Sequence, residues 1–311
     1  MRVAAIDIGT NTILLLIAEV AEGRLKPLFE KETIVRLGEG LQKNGVLSKE
    51  AMERGLQTLS RYLEQCQTMG AQKIFAVGTS ALREAKNSNE FLKKSKEELD
   101  LLIEIISGEE EAQLSFLAVA RDLKGSEKAT LVIDIGGGST EFILGKIERI
   151  TEWASFPLGS VRFTEDFLLS DPVQEEEWGK MEKEILKWLV RIPHPREPFS
   201  MVAVGGTATT LASAEQGLNE FIPEKIHHFV LKKEALRKQM DLYRSRSVDE
   251  RRKIPGLPPE RADVILAGSA ILYMTMEELK CPSVLISCQG IRYGLIYRKL
   301  PSLSPVGRGE G

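Results

Sequence analysis

The chain has 311 residues, enough for about two domains of ordinary size. Apolar residues make up 42% and charged residues 28%, the balance of a soluble protein, and a formal net charge of −3 provides no basic field for nucleic acid. The longest nearly apolar run, residues 264–276, is too short to span a bilayer, so no membrane partner is expected. Three cysteines without metal-ligand spacing, and no evident signal peptide, favour reduced thiols in a cytoplasmic protein.

Strand-like segments open the first half of the chain, and helices then alternate with strands. The predicted strands are residues 2–8, 12–19, 25–35, 73–77 and 101–106. Ser48 is placed to cap a helix that runs to Met69 and stops at Gly70. A second helix is predicted over residues 108–123, and the short charged segment 124–128 is a candidate hinge.

The second half repeats this organisation. The predicted strands are residues 129–135, 141–144, 200–204 and 283–287, and the predicted helices are residues 174–189, 232–243, 260–279 and 290–300. Residues 301–311 form a polar tail that we expect to be disordered. Strands alternating with helices predict a two-domain α/β protein divided into residues 1–124 and 125–300. Return of the last helix to the first domain is left open.

One sequence pattern occurs twice. Residues 3–12 read VAAIDIGTNT and residues 131–141 read LVIDIGGGSTE, so an apolar strand ends in Asp, then Gly, then hydroxyl residues. Glycines bring backbone N–H groups close to an anion, and hydroxyls add donors. The expected phosphate-binding residues are Asp7, Gly9, Thr10, Asn11, Thr12, Gly136, Gly137, Gly138, Ser139 and Thr140. One loop in each half predicts a site in the cleft between the domains.

A third glycine segment consists of Gly205, Gly206 and Thr207. It follows a predicted strand and opens a helix, so its N–H groups could approach a nucleotide or a farther phosphate. Close packing of the strand against the helix is the alternative explanation for the two glycines.

The carboxylates between the loops suggest metal and proton chemistry. With only three histidines, a histidine-rich metal site is not expected, and the chemistry should rest on carboxylates. Asp134 and Glu141 bracket the triple glycine and are expected to hold Mg²⁺ through oxygen ligands. A requirement for K⁺ is left open. Arg83 is expected to be catalytic, with its guanidinium donating two hydrogen bonds to phosphoryl oxygens. An ion pair with Glu84 or Glu90 is the alternative.

Six motifs in order resemble the Ppx/GppA exopolyphosphatase and guanosine pentaphosphate phosphatase family over about residues 2–300. They are residues 7–12, 79–87, 106–112, 134–141, 205–210 and 261–263. The resemblance implies a two-domain actin-like fold of the ribonuclease H-like class, shared with sugar kinases and chaperone ATPases. It also implies a short form that lacks the C-terminal HD-type domain of longer relatives.

The resemblance implies that Glu111 is the base that activates the attacking water. Adjacent glutamates on a helix point about 100° apart, so only one of three can face the site. A solvated acidic helix start is the alternative. The sequence departs from the family in having Gln113 where an arginine is usual, Tyr293 where an acid is usual, and His227-His228 where a His-Gly pair is usual.

These features predict an exopolyphosphatase, with guanosine pentaphosphate phosphohydrolase as the main alternative. An ATP-dependent small-molecule kinase and a non-catalytic alarmone sensor remain open, as does a homodimer. One basic cluster either guides a polyanion or is a solvated face. It comprises Arg244, Arg246, Arg251, Arg252 and Lys253.

Overall fold

The structure is a computed structural model that describes residues 1–123, 127–300 and 303. Contacts between Cα atoms divide it into two compact units, Met1–Ala118 with Ile291–Gly311 (unit 1) and Val119–Gly290 (unit 2). The sequence analysis placed the domain boundary between residues 124 and 125. Residues 124–126 of the candidate hinge, and residues 301–302 and 304–311 of the expected disordered tail, lie outside the described residues.

Eleven strands are present in the described residues. They are β1 Arg2–Ile8, β2 Thr12–Ala21, β3 Arg24–Ile34, β4 Lys73–Gly78, β5 Ile103–Ile105, β6 Ala129–Ile135, β7 Thr140–Lys146, β8 Arg149–Phe156, β9 Phe199–Val204, β10 Val230–Lys232 and β11 Ser283–Ile286.

Thirteen α-helices, in the same described part of the chain, connect these strands. They are α1 Leu41–Asn44, α2 Lys49–Thr68, α3 Ser80–Glu84, α4 Ser88–Leu99, α5 Gly108–Asp122, α6 Ser160–Phe167, α7 Glu175–Leu189, α8 Gly205–Glu215, α9 Pro223–Ile226, α10 Lys233–Arg244, α11 Val248–Arg251, α12 Ile265–Glu278 and α13 Ile291–Lys299. None of the helices within residues 1–123 and 127–300 has the length and apolar character needed to cross a bilayer.

Unit 1 is built on a mixed sheet of strand order β3-β2-β1-β4-β5. β1 pairs antiparallel with β2 and parallel with β4, and β5 is parallel to β4. Alternate β1 residues face opposite cores. Ala4 and Ile6 belong to the core that contains α2 and α4, whereas Val3 and Ala5 pack with α5 and α13. The last helix therefore packs on the sheet of unit 1.

Unit 2 has a six-stranded sheet of order β10-β11-β9-β6-β7-β8. β8, β7 and β6 are antiparallel, and β9 and β11 continue the sheet in parallel. Apart from the extra edge strand β10, this arrangement repeats the order of the sheet in unit 1. Two such sheets in one chain confirm the predicted α/β actin-like, ribonuclease H-like fold.

Most local predictions agree with the structure. α2 begins after Ser48, whose Oγ accepts a hydrogen bond from Ala51 N at 3.1 Å, and Gly70 is left-handed with φ 69°. The single helix predicted over residues 260–279 is wrong at its start. A 3₁₀ helix, Pro259–Arg261, comes first and α12 begins only at Ile265, because the chain turns between them to bury Arg261.

Candidate active site

The two predicted phosphate loops have the same backbone turn. Gly9 N donates to Thr12 O at 2.9 Å in the first loop, and Gly136 N donates to Ser139 O at 2.9 Å in the second. Each turn links a buried central strand to its antiparallel neighbour, β1 to β2 and β6 to β7. The sequence repeat is therefore also a repeat of local structure, one copy in each unit.

The first loop keeps its polar side chains out of bulk water. Asp7, Thr10 and Asn11 are all less than one-tenth exposed. Within the described residues, Nδ2 of Asn11 is buried and has no hydrogen-bond partner. A buried donor without an acceptor is costly, so this amide suits an anionic ligand.

The carbonyl groups of the second loop are held by the start of α6. The bonds run from Ser160 N to Gly136 O at 3.0 Å, from Val161 N to Gly137 O at 2.9 Å, and from Arg162 Nε to Gly138 O at 2.9 Å. In the part of the chain that the structure describes, the N–H groups of Gly137 and Gly138 have no acceptor. Consecutive unpaired N–H groups form the concave, partly positive surface that binds phosphate oxygens.

Gly159 makes this contact with α6 possible. A Cβ atom at this position would overlap the backbone of Gly137 and Gly138. Only glycine lets the two backbone segments approach so closely. Sequence analysis missed Gly159 and Arg162, and the signal available was only a glycine before a helix start.

The prediction that the Thr140 side chain binds phosphate needs correction. It is fully buried, and its hydroxyl donates to the carbonyl of Leu158. Because the hydroxyl is engaged inside unit 2, Thr140 supports the loop from behind and does not offer its side chain to a ligand.

The predicted metal ligands lie side by side. Asp134 on β6 is directly opposite Glu141 on β7 in the antiparallel register, so both side chains project from the same face of the sheet. Glu141 is buried, and Ser155 Oγ on β8 donates to its Oε1 at 2.7 Å. Two opposed carboxylates repel each other unless a cation lies between them, so the pair fits a hard divalent ion such as Mg²⁺.

The third glycine segment packs tightly in unit 2. α8 begins at Gly205, which has φ 88°, and a Cβ there would lie 2.8 Å from Asp134 Oδ1. A Cβ at Gly206 would overlap the guanidinium group of Arg261. Thr207 is buried. Close packing therefore accounts for both glycines, and it places the helix start beside the Asp134 carboxylate.

Arg261 belongs to the sixth motif of the family resemblance, and the sequence predicted no role for it. It is 5% exposed although it is charged, and its guanidinium covers Gly206. A buried arginine against a glycine at a helix start is a local positive charge beside the loops of unit 2.

The three consecutive glutamates of α5 have three different environments. Glu109 is exposed. Glu110 forms a capping box with Ser107: Ser107 N donates to Glu110 Oε2 at 2.9 Å, and Glu110 N donates to Ser107 Oγ at 3.2 Å. Glu111 is only 4% exposed. Of the three, Glu111 alone is a buried carboxylate.

Arg83 binds this buried carboxylate. Its Nη1 donates to Glu111 Oε2 at 2.5 Å and to Ile106 O at 2.8 Å. Among the ion pairs of the described residues, the partner of Arg83 is thus Glu111 and not Glu84 or Glu90, the alternatives suggested by the sequence. The pair holds the Glu111 carboxylate in one orientation.

The pair and the first loop lie at the same edge of the unit 1 sheet. Thr79 N, just after β4, donates to Ile8 O at the end of β1, and Ile106 N, just after β5, donates to Gly78 O at the end of β4. These are the carboxyl ends of parallel strands, where open α/β sheets place their ligands. The position of this group relative to the loops of unit 2 stays a prediction.

The basic cluster is smaller than the sequence suggested. Arg251 is 2% exposed, and its Nε donates to Tyr243 O at 2.6 Å, so it belongs to the core of unit 2 and cannot guide a polyanion. Arg244 pairs with Glu175 and lies over the Trp178 ring. Arg246 and Lys253 remain exposed.

The structure shows the contacts of two residues that depart from the family pattern, Gln113 and Tyr293. Gln113 is exposed and donates to Glu109 Oε1 at 3.3 Å. Tyr293 on α13 is buried and donates to Glu30 Oε1 at 2.8 Å, which fixes α13 to β3. Neither residue contacts the Arg83–Glu111 pair in the described hydrogen bonds.

A model of the Ppx/GppA phosphatase family matches residues 16–303. The chain belongs to the Ppx/GppA phosphatase family. This confirms the resemblance drawn from the six motifs, and it agrees with the shared strand order of the two sheets.

Solved structures of this family cover nearly the whole chain. The Ppx/GppA family member from Aquifex aeolicus is 35% identical, with 98% of this chain and 99% of that chain covered and a TM-score of 0.83. An exopolyphosphatase from Cytophaga hutchinsonii is 27% identical, with 97% and 98% covered and a TM-score of 0.85.

The chain is also similar to the bifunctional 3-dehydroquinate synthase/phosphatase of Fusobacterium nucleatum, 36% identical over 289 residues. The alignment covers 86% of this chain, and the chain spans only 42% of that protein's length.

Proposed function

We propose that the chain is an exopolyphosphatase that releases the terminal phosphate of inorganic polyphosphate by attack of water. The observation that carries this proposal is the buried Glu111 carboxylate held by Arg83 at 2.5 Å. It lies at the same sheet edge as the first phosphate loop. The family membership and the name of the Cytophaga relative support the same reaction class.

Glu111 is proposed as the general base. A carboxylate in this role takes a proton from the water as the oxygen attacks phosphorus, which requires the carboxylate to be ionised and correctly oriented. Arg83 supplies the orientation, because its Nη1 donates to Oε2 of the carboxylate. Arg83 is thus proposed to position the base, with stabilisation of phosphoryl charge as its second role.

The phosphate loops are proposed to bind the phosphate chain. Within the two loops as the structure describes them, Nδ2 of Asn11 and the N–H groups of Gly137 and Gly138 are donors that lack an acceptor. Neutral donors held in fixed positions stabilise the developing negative charge without reorganisation. Mg²⁺ bound by Asp134 and Glu141 would supply neutralisation of phosphate-oxygen charge.

Polyphosphate is preferred over guanosine pentaphosphate because no aromatic motif marks a base pocket in the sequence. With Arg251 in the core, the exposed basic residues are fewer, which favours shorter polymers over long ones. Polyphosphate binding should weaken steeply with salt, by analogy with counterion release from nucleic acids.

The deciding experiment measures free phosphate from the purified protein with Mg²⁺ and, separately, polyphosphate of several lengths, guanosine pentaphosphate and ATP. Glu111→Gln is the inactive control. Salt-sensitive release from polyphosphate is the expected result. A clear, salt-independent preference for guanosine pentaphosphate would reverse the ranking, phosphate transfer from ATP would identify a kinase, and binding without turnover would identify a sensor.

The metal part of the proposal has its own measurement. Isothermal titration of Mg²⁺ in the presence of a non-hydrolysed phosphate analogue should show weaker binding for Asp134→Asn and for Glu141→Gln. Full activity of the parent protein in excess chelator would contradict the assignment. Asp166→Asn, a carboxylate on α6 outside these loops, serves as the matched control.

A further inference from the structure

A second group of candidate metal-binding side chains, which does not include Asp134 or Glu141, lies in unit 2. Asp122 is the last residue of α5, and two adjacent histidines meet its carboxylate. His227 Nε2 lies 3.3 Å from Asp122 Oδ1, and His228 Nε2 lies 2.7 Å from Asp122 Oδ2. One ligand atom from each residue lies within 4.8 Å of the other two. The number of histidines alone does not reveal this group, because Asp122 lies more than a hundred residues from both histidines in sequence.

The backbone at His228 is held in a conformation that favours glycine. His228 has φ 64°, and its N–H donates to Ile286 O at 2.7 Å. Left-handed backbone is less costly for glycine than for histidine, and the family's usual residue at this position is glycine. This chain keeps an imidazole at an unfavourable position, where its ring stacks on that of His227 at 3.9 Å.

A fourth residue, Gln289, contacts the cluster and, among the described residues, has an oxygen without a hydrogen-bond donor. Gln289 Nε2 donates to Asp122 Oδ1 at 3.4 Å. Within the described residues, its Oε1 is buried and accepts no hydrogen bond. A buried amide oxygen without a donor, on a side chain that contacts the Asp122 carboxylate, is a feature that a bound cation would satisfy.

The alternative is a hydrogen-bonded clasp without metal. Cys288 N donates to His227 Nδ1 at 3.2 Å, so a neutral His227 carries its proton on Nε2 and donates it to Asp122. Burial raises the pKa of Asp122, but hydrogen bonds from His227 and His228 outweigh burial and lower it overall. The carboxylate is therefore ionised, which either a clasp or a metal site requires.

We propose that Asp122, His227 and His228 bind a divalent transition-metal ion of the Zn²⁺ class. Two imidazole nitrogens and one carboxylate oxygen suit Zn²⁺, Co²⁺ or Ni²⁺ and do not suit Mg²⁺, which prefers oxygen ligands. Gln289 Oε1 or a water would be the fourth ligand of the metal. Binding through both Nε2 atoms moves the proton of each neutral imidazole from Nε2 to Nδ1, with no net loss of protons. Metal binding also breaks the hydrogen bond from Cys288 N to His227 Nδ1. That hydrogen bond is weaker than a metal–imidazole bond.

The site ties together two distant parts of the chain. Asp122 ends α5, which carries Glu111, and Gln289 lies two residues before the start of α13. A metal bound only in the folded state raises the melting temperature, and the stabilisation grows with the logarithm of one plus its concentration over its dissociation constant. Thermal stabilisation by micromolar Zn²⁺ is therefore a readout that does not depend on hydrolase activity.

The test uses the full chain without a polyhistidine tag. Co²⁺ is titrated and followed by its visible d–d absorption, and Zn²⁺ by calorimetry and by the melting temperature. His228→Gly is the main variant, since glycine suits φ 64° and the fold should be kept. His194→Gln is the matched control, because His194 lies apart from the cluster and is half exposed.

The expected result is one tetrahedral or five-coordinate Co²⁺ site in the parent and in His194→Gln. Affinity should fall at least about tenfold in His228→Gly and in Asp122→Asn, and Zn²⁺ should no longer raise their melting temperatures. Absence of Co²⁺ binding in the parent, or equal affinity in the parent and His228→Gly, would overturn the proposal and leave the clasp as the explanation.

Discussion

Arg83 Nη1 donates to Glu111 Oε2 at 2.5 Å, although 28 residues separate the two side chains in sequence. The carboxylate is 6% exposed and the arginine side chain 28%, so the pair is largely shielded from water. A buried carboxylate is tolerated when it is paired with a positive charge, and it then keeps one orientation. This pair is the basis of the first two predictions.

Glu111→Gln should lower kcat by about 10²- to 10⁴-fold while the protein stays folded, because the amide keeps the shape of the side chain but cannot accept the proton. The measurement is kcat for phosphate release, with the melting temperature as the check on folding. Glu109→Gln is the matched control because Glu109 is exposed on the same helix, and its kcat should stay near the parent value. An equal loss of kcat in both variants would show that Glu111 is not the general base.

Arg83→Lys and Glu111→Gln should not have additive effects on kcat. The two side chains act as one unit, so once the base is gone the loss of the arginine costs less than it does in the parent. Arg83→Lys alone should lower kcat by about 10²-fold, since one short ammonium cannot reproduce the contacts to both Glu111 and Ile106 O. A double-mutant cycle gives the coupling. A coupling energy of zero would mean that Arg83 acts on the phosphate alone.

Gly159→Ala should displace the second phosphate loop. Its Cβ would overlap the backbone of Gly137 and Gly138, which cannot move without breaking the bonds to α6. We expect a loss of about 1–3 kcal/mol in the free energy of unfolding and weaker phosphate binding. Gly179→Ala is the control: the new Cβ meets nothing within 4 Å in the middle of α7, so stability should rise by about 0.5–1 kcal/mol. Equal behaviour of the two variants would contradict the close approach.

Glu110→Gln should weaken the start of α5 in a pH-dependent way. The hydrogen bond from Ser107 N lowers the pKa of Glu110, so its contribution to stability is present above its unfolded pKa and is lost as pH falls through the folded value. Near pH 7 we expect a loss of about 1 kcal/mol in the free energy of unfolding. Denaturant titrations at several pH values should show the difference from the parent shrinking below about pH 4. A constant difference would rule out the charged cap as its source.

Arg246→Gln combined with Lys253→Gln should reduce the affinity for polyphosphate. Both side chains are exposed in the remaining basic cluster. The slope of log affinity against log salt should become shallower by about 2, one for each lost phosphate contact. Lys183→Gln together with Lys187→Gln, two exposed lysines on α7, is the control with the same change of charge. The same slope in both double variants would mean that polyphosphate does not follow this cluster.

The helix α4 and the strand β8 were not predicted from the sequence, and the structure shows the physical reason. α4 buries only Phe91 and Ser95, so its apolar periodicity is weak. β8 is an edge strand in which only Phe156 is fully buried, so it lacks the regular alternation that predicts a strand. Missing β8 also meant missing Ser155, the hydrogen-bond donor to Glu141.

The sequence by itself determined the features that depend on a few neighbouring residues. The two glycine turns, the capping of α2 by Ser48 and the strands around each loop follow from local chemistry, and the repeat of the loop indicated the fold. Only the tertiary structure decided which charged side chains meet. It paired Arg83 with Glu111, buried Arg251, and brought Asp122 to His227 and His228 across more than a hundred residues. Such pairings depend on sheet order and packing between distant segments, to which local sequence patterns are insensitive.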